Sequence, residues 1–539
     1  MRTFRHYIRV GKEHFRASRI ILCVLPGLIA VLGILLSCAQ PGRTGDVDIG
    51  HTDALLDHVR QATGYQTRRS LEGGLFVEGR GKYLGLPSTF RMVFSPQGGY
   101  RSEIVSPLRF IEGFDGKKGW MVDETGMPGH MELTTLEQSQ FMAWITGGYW
   151  LDPACPLIMD MQPWSQGDTA VVLSLRLPDG ILEAAVSIDP QNFLPRRCRW
   201  TSFGQESFIE WSRWEDAGGF SFPGEILSWV EFQEIRIRID TVGAAGEETE
   251  DLTRPVTRRP ADTRFHPERG TAIPLIRIPS GNLAVHPRVN GREAGWFLLD
   301  TGAGRSVIDI AWADSLGMEK VGEMPAMGFG GLITVHYRIG ENLALGPVEI
   351  DRPIFLEIDL SPLKEAFGVN IDGILGYDLF MRSLVELDVA GDSLHLYEPG
   401  AWDTLEADWL EVVFHRNAPL LSCSFDGDHT ALFDLDTGFP GQVTFNRSFA
   451  ERTGLLDELD SETFTAGGVG GTMEMHSGQL EWLEIGGRRW EQVPFSVAGE
   501  AQGVLADEAV GGLVGTGLLP SLRVLIDYPN GRIGLVEKD

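Results

Sequence analysis

An internal repeat in the C-terminal half constrains this chain more than any other feature. The segment VNGREAGWFLLDTG at 289–302 matches FDGDHTALFDLDTG at 425–438, at a constant offset of 136. Each copy has an Asn-Gly or Asp-Gly turn, an apolar strand and then Asp-Thr-Gly. A short helix ending at glycine follows in both, over Ile310–Leu316 before Gly317 and Arg447–Thr453 before Gly454. Next come GFGG at 328–331 and GVGG at 468–471, and LALGPVEIDRPIF at 343–355 echoes LEIGGRRWEQVPF at 483–495. Finally, residues 372–398 align without gaps on 511–537 at an offset of 139. Shared features in one order, with a drift of a few residues, define a duplicated β-domain of about 125 residues rather than a solenoid. The 66 glycines in 539 residues fit a chain rich in strands and tight turns.

A single Asp-Thr-Gly is an ordinary acidic turn. Two copies, each closing an apolar strand and each followed 76–79 residues later by an apolar-apolar-Gly strand, carry more. The combination resembles the aspartic peptidases, in particular the bacterial retropepsin-like group, over residues 271–539. The resemblance implies two tandem β-barrel lobes, each giving one catalytic carboxylate, Asp300 and Asp436. Thr301 and Thr437 match threonines whose hydroxyls bond into the opposite loop. Gly302 and Gly438 match glycines that let the two backbones approach. Leu375-Gly376 and Val514-Gly515 match the strand crossing behind each loop. Gly328, Phe329, Gly330 and Gly331, with Gly468, Val469, Gly470 and Gly471, match the tips of flaps that fold over a bound peptide.

The chemistry follows from proximity. Two carboxyls about 3 Å apart cannot both ionise, so they share one proton. The ionised member takes a proton from water while the protonated member polarises a carbonyl. Such a reaction calls for no cofactor and no metal. Lobe two departs from the pattern twice. Phe439-Pro440 stands where lobe one has Ala303-Gly304, and Asp434 stands where lobe one has Leu298. Residues i and i+2 of a strand share a face, so Asp434 is expected either beside Asp436 or, if the strand twists, in solvent.

The N-terminus reads as a targeting signal. Arg2, Arg5, Arg9, Lys12, Arg16 and Arg19 precede an apolar run from Ile20 to Leu36, which ends Leu35-Leu36-Ser37-Cys38. That ending resembles the lipobox of bacterial lipoproteins, which implies cleavage before Cys38 and lipidation of its thiol. The alternative is an uncleaved signal-anchor helix; the run is at the lower edge of bilayer-spanning length. Either places the rest of the chain outside the cytoplasm, in the bacterial cell envelope. Formal net charge is −29. Residues 1–37 hold six Lys/Arg and one Glu, so a chain without them stands at about −34. So acidic a body argues against a nucleic-acid partner. Of five cysteines, Cys155 and Cys198 could pair in an oxidising compartment, Cys423 is left over, and no spacing resembles a zinc site.

Residues 51–242 alternate with period two at Phe90, Met92 and Phe94 and at Ile235, Ile237 and Ile239, which argues for antiparallel strands. Helices are expected near Asp53–Ala62 and Leu136–Ile145. The phrases FDGKKGWMVDETG at 114–126 and WEDAGGFSFPGEI at 214–226 resemble those of outer-membrane lipoprotein carrier and insertion proteins. That resemblance implies a half-barrel sheet wrapped on a helix.

The expected fold is therefore mainly β: an antiparallel half-barrel-like domain, then two retropepsin-like lobes forming a bilobal aspartic peptidase. The expected layout is a signal peptide over 1–37, a tether over 38–50, the first domain over 51–242 and a charged linker over 243–268. Lobe one then spans 269–400 and lobe two 401–539. The expected function is an aspartic endopeptidase acting on peptide or protein substrates, lipid-anchored to the membrane. With both lobes in one chain, it is expected to be a monomer. Phe439 and Asp434 favour an alternative, a non-catalytic envelope lipoprotein whose degenerate lobes bind peptides or lipoproteins. No His-Glu-x-x-His, Gly-x-Ser-x-Gly, phosphate-loop or Rossmann glycine pattern supports another chemistry.

Overall fold

The computed structural model describes residues 51–537, except 166, 203, 231, 247–252, 257–260, 403–406 and 428. At 457, 458 and 460–462 it describes the backbone only. The leader, the tether and Cys38 lie outside the described residues.

The first strand, Leu75–Tyr83, starts a meander of six antiparallel strands ending at Pro128–Met131. Helix Leu133–Gly147 then crosses the sheet, and a second meander begins at Ile158–Met161. Its last strand, Gln233–Ala244, returns to pair with the first, with Val77 opposite Val242. The result is one 13-stranded antiparallel sheet whose two edges are the strands flanking the helix. This is why it stays open as a half-barrel. Period-two alternation fills one face: Val77, Phe90, Met92, Leu173, Val186 and Ile209 pack on Phe141, Trp144 and Ile145 of the helix. Between helix and sheet lies a cavity of about 390 Å³, lined in part by Phe114, Leu136, Gln140, Trp144 and Ile181. The first helix, Thr52–Thr63, buries Leu55, Leu56 and Val59 and stops at Gly64 in the left-handed conformation. The first helix runs one residue past each expected end, and Leu133–Gly147 runs three residues past its expected start and two past its expected end. Cys155 and Cys198 are both free thiols, as is Cys423.

The repeat becomes two eight-stranded sheets of matching order. In lobe one, strand Trp296–Leu299 runs parallel to Ile371–Leu375, with Leu298 opposite Ile374. In lobe two, His429–Asp436 runs parallel to Gly512–Gly515, with Asp434 opposite Leu513. The helices after the Asp-Thr-Gly turns are Ile310–Ser315 and Arg447–Thr453. The flaps are hairpins, Glu319–Gly328 with Gly331–Ile339 and Leu459–Gly468 with Gly471–Ile485.

A separate six-stranded sheet joins the lobes. The C-terminal hairpin of lobe one, Leu384–Asp388 and Ser393–Tyr397, pairs edge to edge with Leu522–Asp527 of lobe two, Val385 facing Ile526. One apolar core runs through both lobes and includes Phe297, Leu299, Val385, Phe433, Leu435 and Ile526. The fold class is as expected: mainly β, with two repeated lobes behind an antiparallel N-terminal sheet.

Candidate active site

Strand alternation aims the two aspartates. Phe297 and Leu299 are sealed in the core, so Leu298 and Asp300 face the other way. Phe433 and Leu435 do the same in lobe two, leaving Asp434 and Asp436 on the opposite face. The crossing strand holds each turn: the Asp300 N–H donates to the Leu375 carbonyl at 3.0 Å, and Asp436 sits opposite Gly515 in the ladder.

Thr301 and Thr437 lock the two turns together, and both are fully buried. The Thr301 hydroxyl donates to the Leu435 carbonyl and accepts the Thr437 N–H at 2.9 Å. The Thr437 hydroxyl donates to the Leu299 carbonyl at 2.9 Å and accepts the Thr301 N–H at 3.0 Å. Three buried polar groups of each turn are thereby satisfied by the other lobe.

The glycines face the opposite carboxyls. A Cβ on Gly302 would stand 2.9 Å from Asp436 Cγ, and one on Gly438 would stand 2.6 Å from Asp300 Cγ. Any larger residue would push the carboxyls apart. With glycine present, the Asp300 and Asp436 carboxyls share a hydrogen bond.

The pair is not symmetric. Burial raises the Asp300 carboxyl, but the bond to Asp436 and backbone N–H groups of Ala303 and Gly302 hold it down. The Ala303 N–H reaches Asp300 Oδ1 at 2.9 Å. Burial pushes Asp436 well above the usual carboxylate range, and the charges of Asp300 and Asp434 add to it. Against these stands the Gly438 N–H at 2.8 Å. These surroundings bias the shared proton towards Asp436, while the two carboxyls titrate as one unit.

The flap tips meet above this pair. The Gly330 N–H donates to the Val469 carbonyl at 3.0 Å, and Gln502 Nε2 donates to the Gly330 carbonyl at 2.7 Å. A Cβ on Gly330 would lie 2.4 Å from the Gly471 nitrogen, so the crossing needs bare backbone. Phe329 packs on the apolar cluster of lobe two, and Val469 packs on that of lobe one. All eight expected flap residues thus converge at one crossing.

The two departures in lobe two resolve differently. Phe439 does not distort its loop. Its carbonyl accepts the Thr516 N–H at 2.9 Å, as the Ala303 carbonyl accepts that of Tyr377 at 2.9 Å. Its ring lies back over Gly441 and Gly515, where a Cβ would come within 2.3 Å of Cζ and 2.5 Å of Cδ1 respectively. Asp434 stays beside the pair. It is half-buried, its Oδ1 is sealed from solvent without a hydrogen-bond partner, and Asp300's charge acts on it.

Three further residues at the site had no clear signal in the sequence. Tyr528, fully buried, donates from its hydroxyl to the Thr301 carbonyl at 3.3 Å. Its place in lobe one is taken by Val389, so the repeat does not mark it. Gln502 reaches the flap from a 3-10 turn outside the repeat's matched segments. Arg305, three residues after Gly302, enters the N-terminal domain, where Nη1 meets Asp123 Oδ2 at 2.7 Å and Nη2 meets Glu124. Glu124 also accepts the Tyr83 hydroxyl. The N-terminal domain is thus bonded to the back of the Asp300 turn.

A sequence profile described as aspartyl protease matches residues 285–379 and 421–519, one match per lobe. The two lobes are therefore aspartyl-protease-like. Among solved structures, a LolA superfamily protein from Nitrosomonas europaea is 13% identical, with a TM-score of 0.26 over 36% of this chain and 93% of that one. A DUF1329 family protein from Desulfovibrio piger is 12% identical, with a TM-score of 0.27 over 36% of this chain and 92% of that one. No curated protein matches the chain.

Proposed function

We propose that the protein is an aspartic endopeptidase that hydrolyses peptide bonds with a water activated between Asp300 and Asp436. The observation carrying this reading is the reciprocal approach of each glycine to the other lobe's carboxyl, which leaves the two aspartates hydrogen-bonded to each other. Asp300, the anion, takes one proton from the water as its oxygen adds to the amide carbon. Asp436 gives its proton to the carbonyl oxygen, and a neutral gem-diol forms. Asp300 then passes the acquired proton to the amide nitrogen, one diol hydroxyl returns a proton to Asp436, and the C–N bond breaks. Acid and amine leave, and the pair is back in its starting state. The flaps exclude bulk water and hold the peptide extended across the cleft.

Cys38 is the proposed lipid site, placing a monomeric peptidase on the envelope membrane outside the cytoplasm. The N-terminal domain, bonded to lobe one through Arg305, would then stand as part of the same body. Incubating the purified protein with a mixed peptide library across pH 3–7, with products read by mass spectrometry, tests the activity. Endoproteolytic products abolished by Asp300→Asn support it. A folded protein that cuts nothing but retains peptides would instead support the binding alternative.

A further inference from the structure

Leu298 and Asp434 hold equivalent places, each two residues before its lobe's aspartate and on the same face of the strand. Each is flanked by an apolar cluster that the opposite flap covers. Leu298 sits with Ala284, Val307 and Ile374, and the tip residue Val469 of the opposite flap packs on that cluster. Asp434 pairs with Leu513, which belongs to the matching cluster with Met473, Met475 and Leu505, covered by the opposite flap tip Phe329. Each half of the cleft thus lies under the opposite flap tip, but the row that carries Leu298, Val307 and Leu356 in lobe one carries Asp434, Thr444 and Ser496 in lobe two.

Asp434 Oδ1 is sealed from solvent without a hydrogen bond, and among the described residues Asp434 forms no salt bridge. Its charged neighbours are the other two acids, Asp300 and Asp436, with the Tyr528 hydroxyl also within electrostatic reach. A buried acceptor left unpaired is costly, and a cation supplied from outside would satisfy it and offset the crowding of three acids. An extended peptide bound across the pair places successive side chains on alternate faces, so the residues flanking the scissile bond meet different lobes.

We propose that Asp434 is a specificity-determining residue that receives a Lys or Arg side chain of the substrate on the lobe-two side of the scissile bond, while Leu298 takes an apolar side chain on the other. This rests on the reading of the cleft as a peptidase site. The lysine or arginine stem lies on Leu513, Met473 and Phe329, and its charged head meets Asp434. Lobe identity thereby gives the near-symmetric cleft a direction.

The test uses quenched fluorescent peptides differing at one residue beside the scissile bond, Lys or Arg against norleucine, on the wild type, Asp434→Leu and Asp434→Asn. The ratio of kcat/KM values between two peptides cancels any common effect on the aspartate pair. The wild type is expected to prefer the basic peptide by about 10- to 100-fold, the range of one charge-assisted contact. Both variants should lose that preference, and Asp434→Leu should reverse it towards norleucine. Cleavage by the wild type without basic preference overturns the proposal and leaves the peptidase reading intact. So does a preference that survives both variants. If nothing is cut, the peptidase reading fails by itself. The same peptides are then titrated by fluorescence anisotropy. Tighter binding of the basic peptide, lost in Asp434→Leu, sustains the subsite, and equal binding of both peptides by the wild type overturns it.

Discussion

Replacing Thr301 by valine keeps the shape of the side chain and removes one oxygen. That oxygen serves two buried groups of the other lobe, the Leu435 carbonyl and the Thr437 N–H. Neither faces water, because Thr301 and Thr437 are fully buried and Leu435 nearly so. Leaving a buried polar group unpaired costs about 1–3 kcal/mol, so the change should weaken the junction of the turns by about 2–6 kcal/mol. The effect is local, and amide hydrogen exchange followed on the peptides spanning 296–303 and 432–439 reads it directly. Exchange of the Thr301 and Thr437 amides should speed up by roughly 30-fold or more if their opening requires the junction to part. Peptide hydrolysis should fall by about 100-fold, the usual consequence of an ångström-scale displacement of reacting groups. Thr437→Val removes the mirror bonds, to Leu299 and Thr301, and the double variant should lose less than the sum of the singles because both changes open the same junction. Unchanged exchange in both turns of Thr301→Val would refute the claim that this interlock holds the aspartates together.

Two further outcomes follow from the same geometry. Arg305→Met leaves Asp123 and Glu124 buried without their cation, a loss of about 3–5 kcal/mol for a broken buried pair; calorimetry should show the main unfolding transition shifted down or split, and an unchanged thermogram would contradict the bonded interface. In the pH profile of kcat/KM, the aspartate pair must keep its one proton, and burial with the charges of Asp300 and Asp434 raises the Asp436 carboxyl. The alkaline limb should therefore lie above the ordinary carboxylate range. Asp434→Asn removes one of those charges, so that limb should move to lower pH while the acid limb, set by Asp300, stays near its place.

The repeat made much of this site legible before any coordinates. Glycine and apolar positions recurring at offsets of 136–140 placed both aspartates, both threonines, both flap tips and the crossing strands on matching elements. Local patterning also located the helices, since apolar spacing and terminal glycines act within a few residues of each other. What stayed hidden depends on contacts distant in sequence. Nothing local marks Val385 as the partner of Ile526, because either strand could close an edge of its own lobe. The Arg305 pair spans about 180 residues, and a lone arginine after a turn reads as solvated surface. Asp434 was recognised as out of pattern, but whether it faced the cleft or water depended on strand twist. The core placement of Phe433 and Leu435 settled that. Phe439 departs from the lobe-one pattern without distorting its loop. Gly441 and Gly515, which make room for the ring, lie two and 76 residues away, too dispersed to read as one feature.

In the proposed reaction Asp300 and Asp436 act as one unit sharing a single proton. Steady-state hydrolysis by Asp300→Asn, Asp436→Asn and the double variant tests it most directly. Each single variant should lose nearly all peptide cleavage, and the double variant should be no worse than either. Substantial activity retained by one single variant would contradict it, because the remaining aspartate would then be working alone.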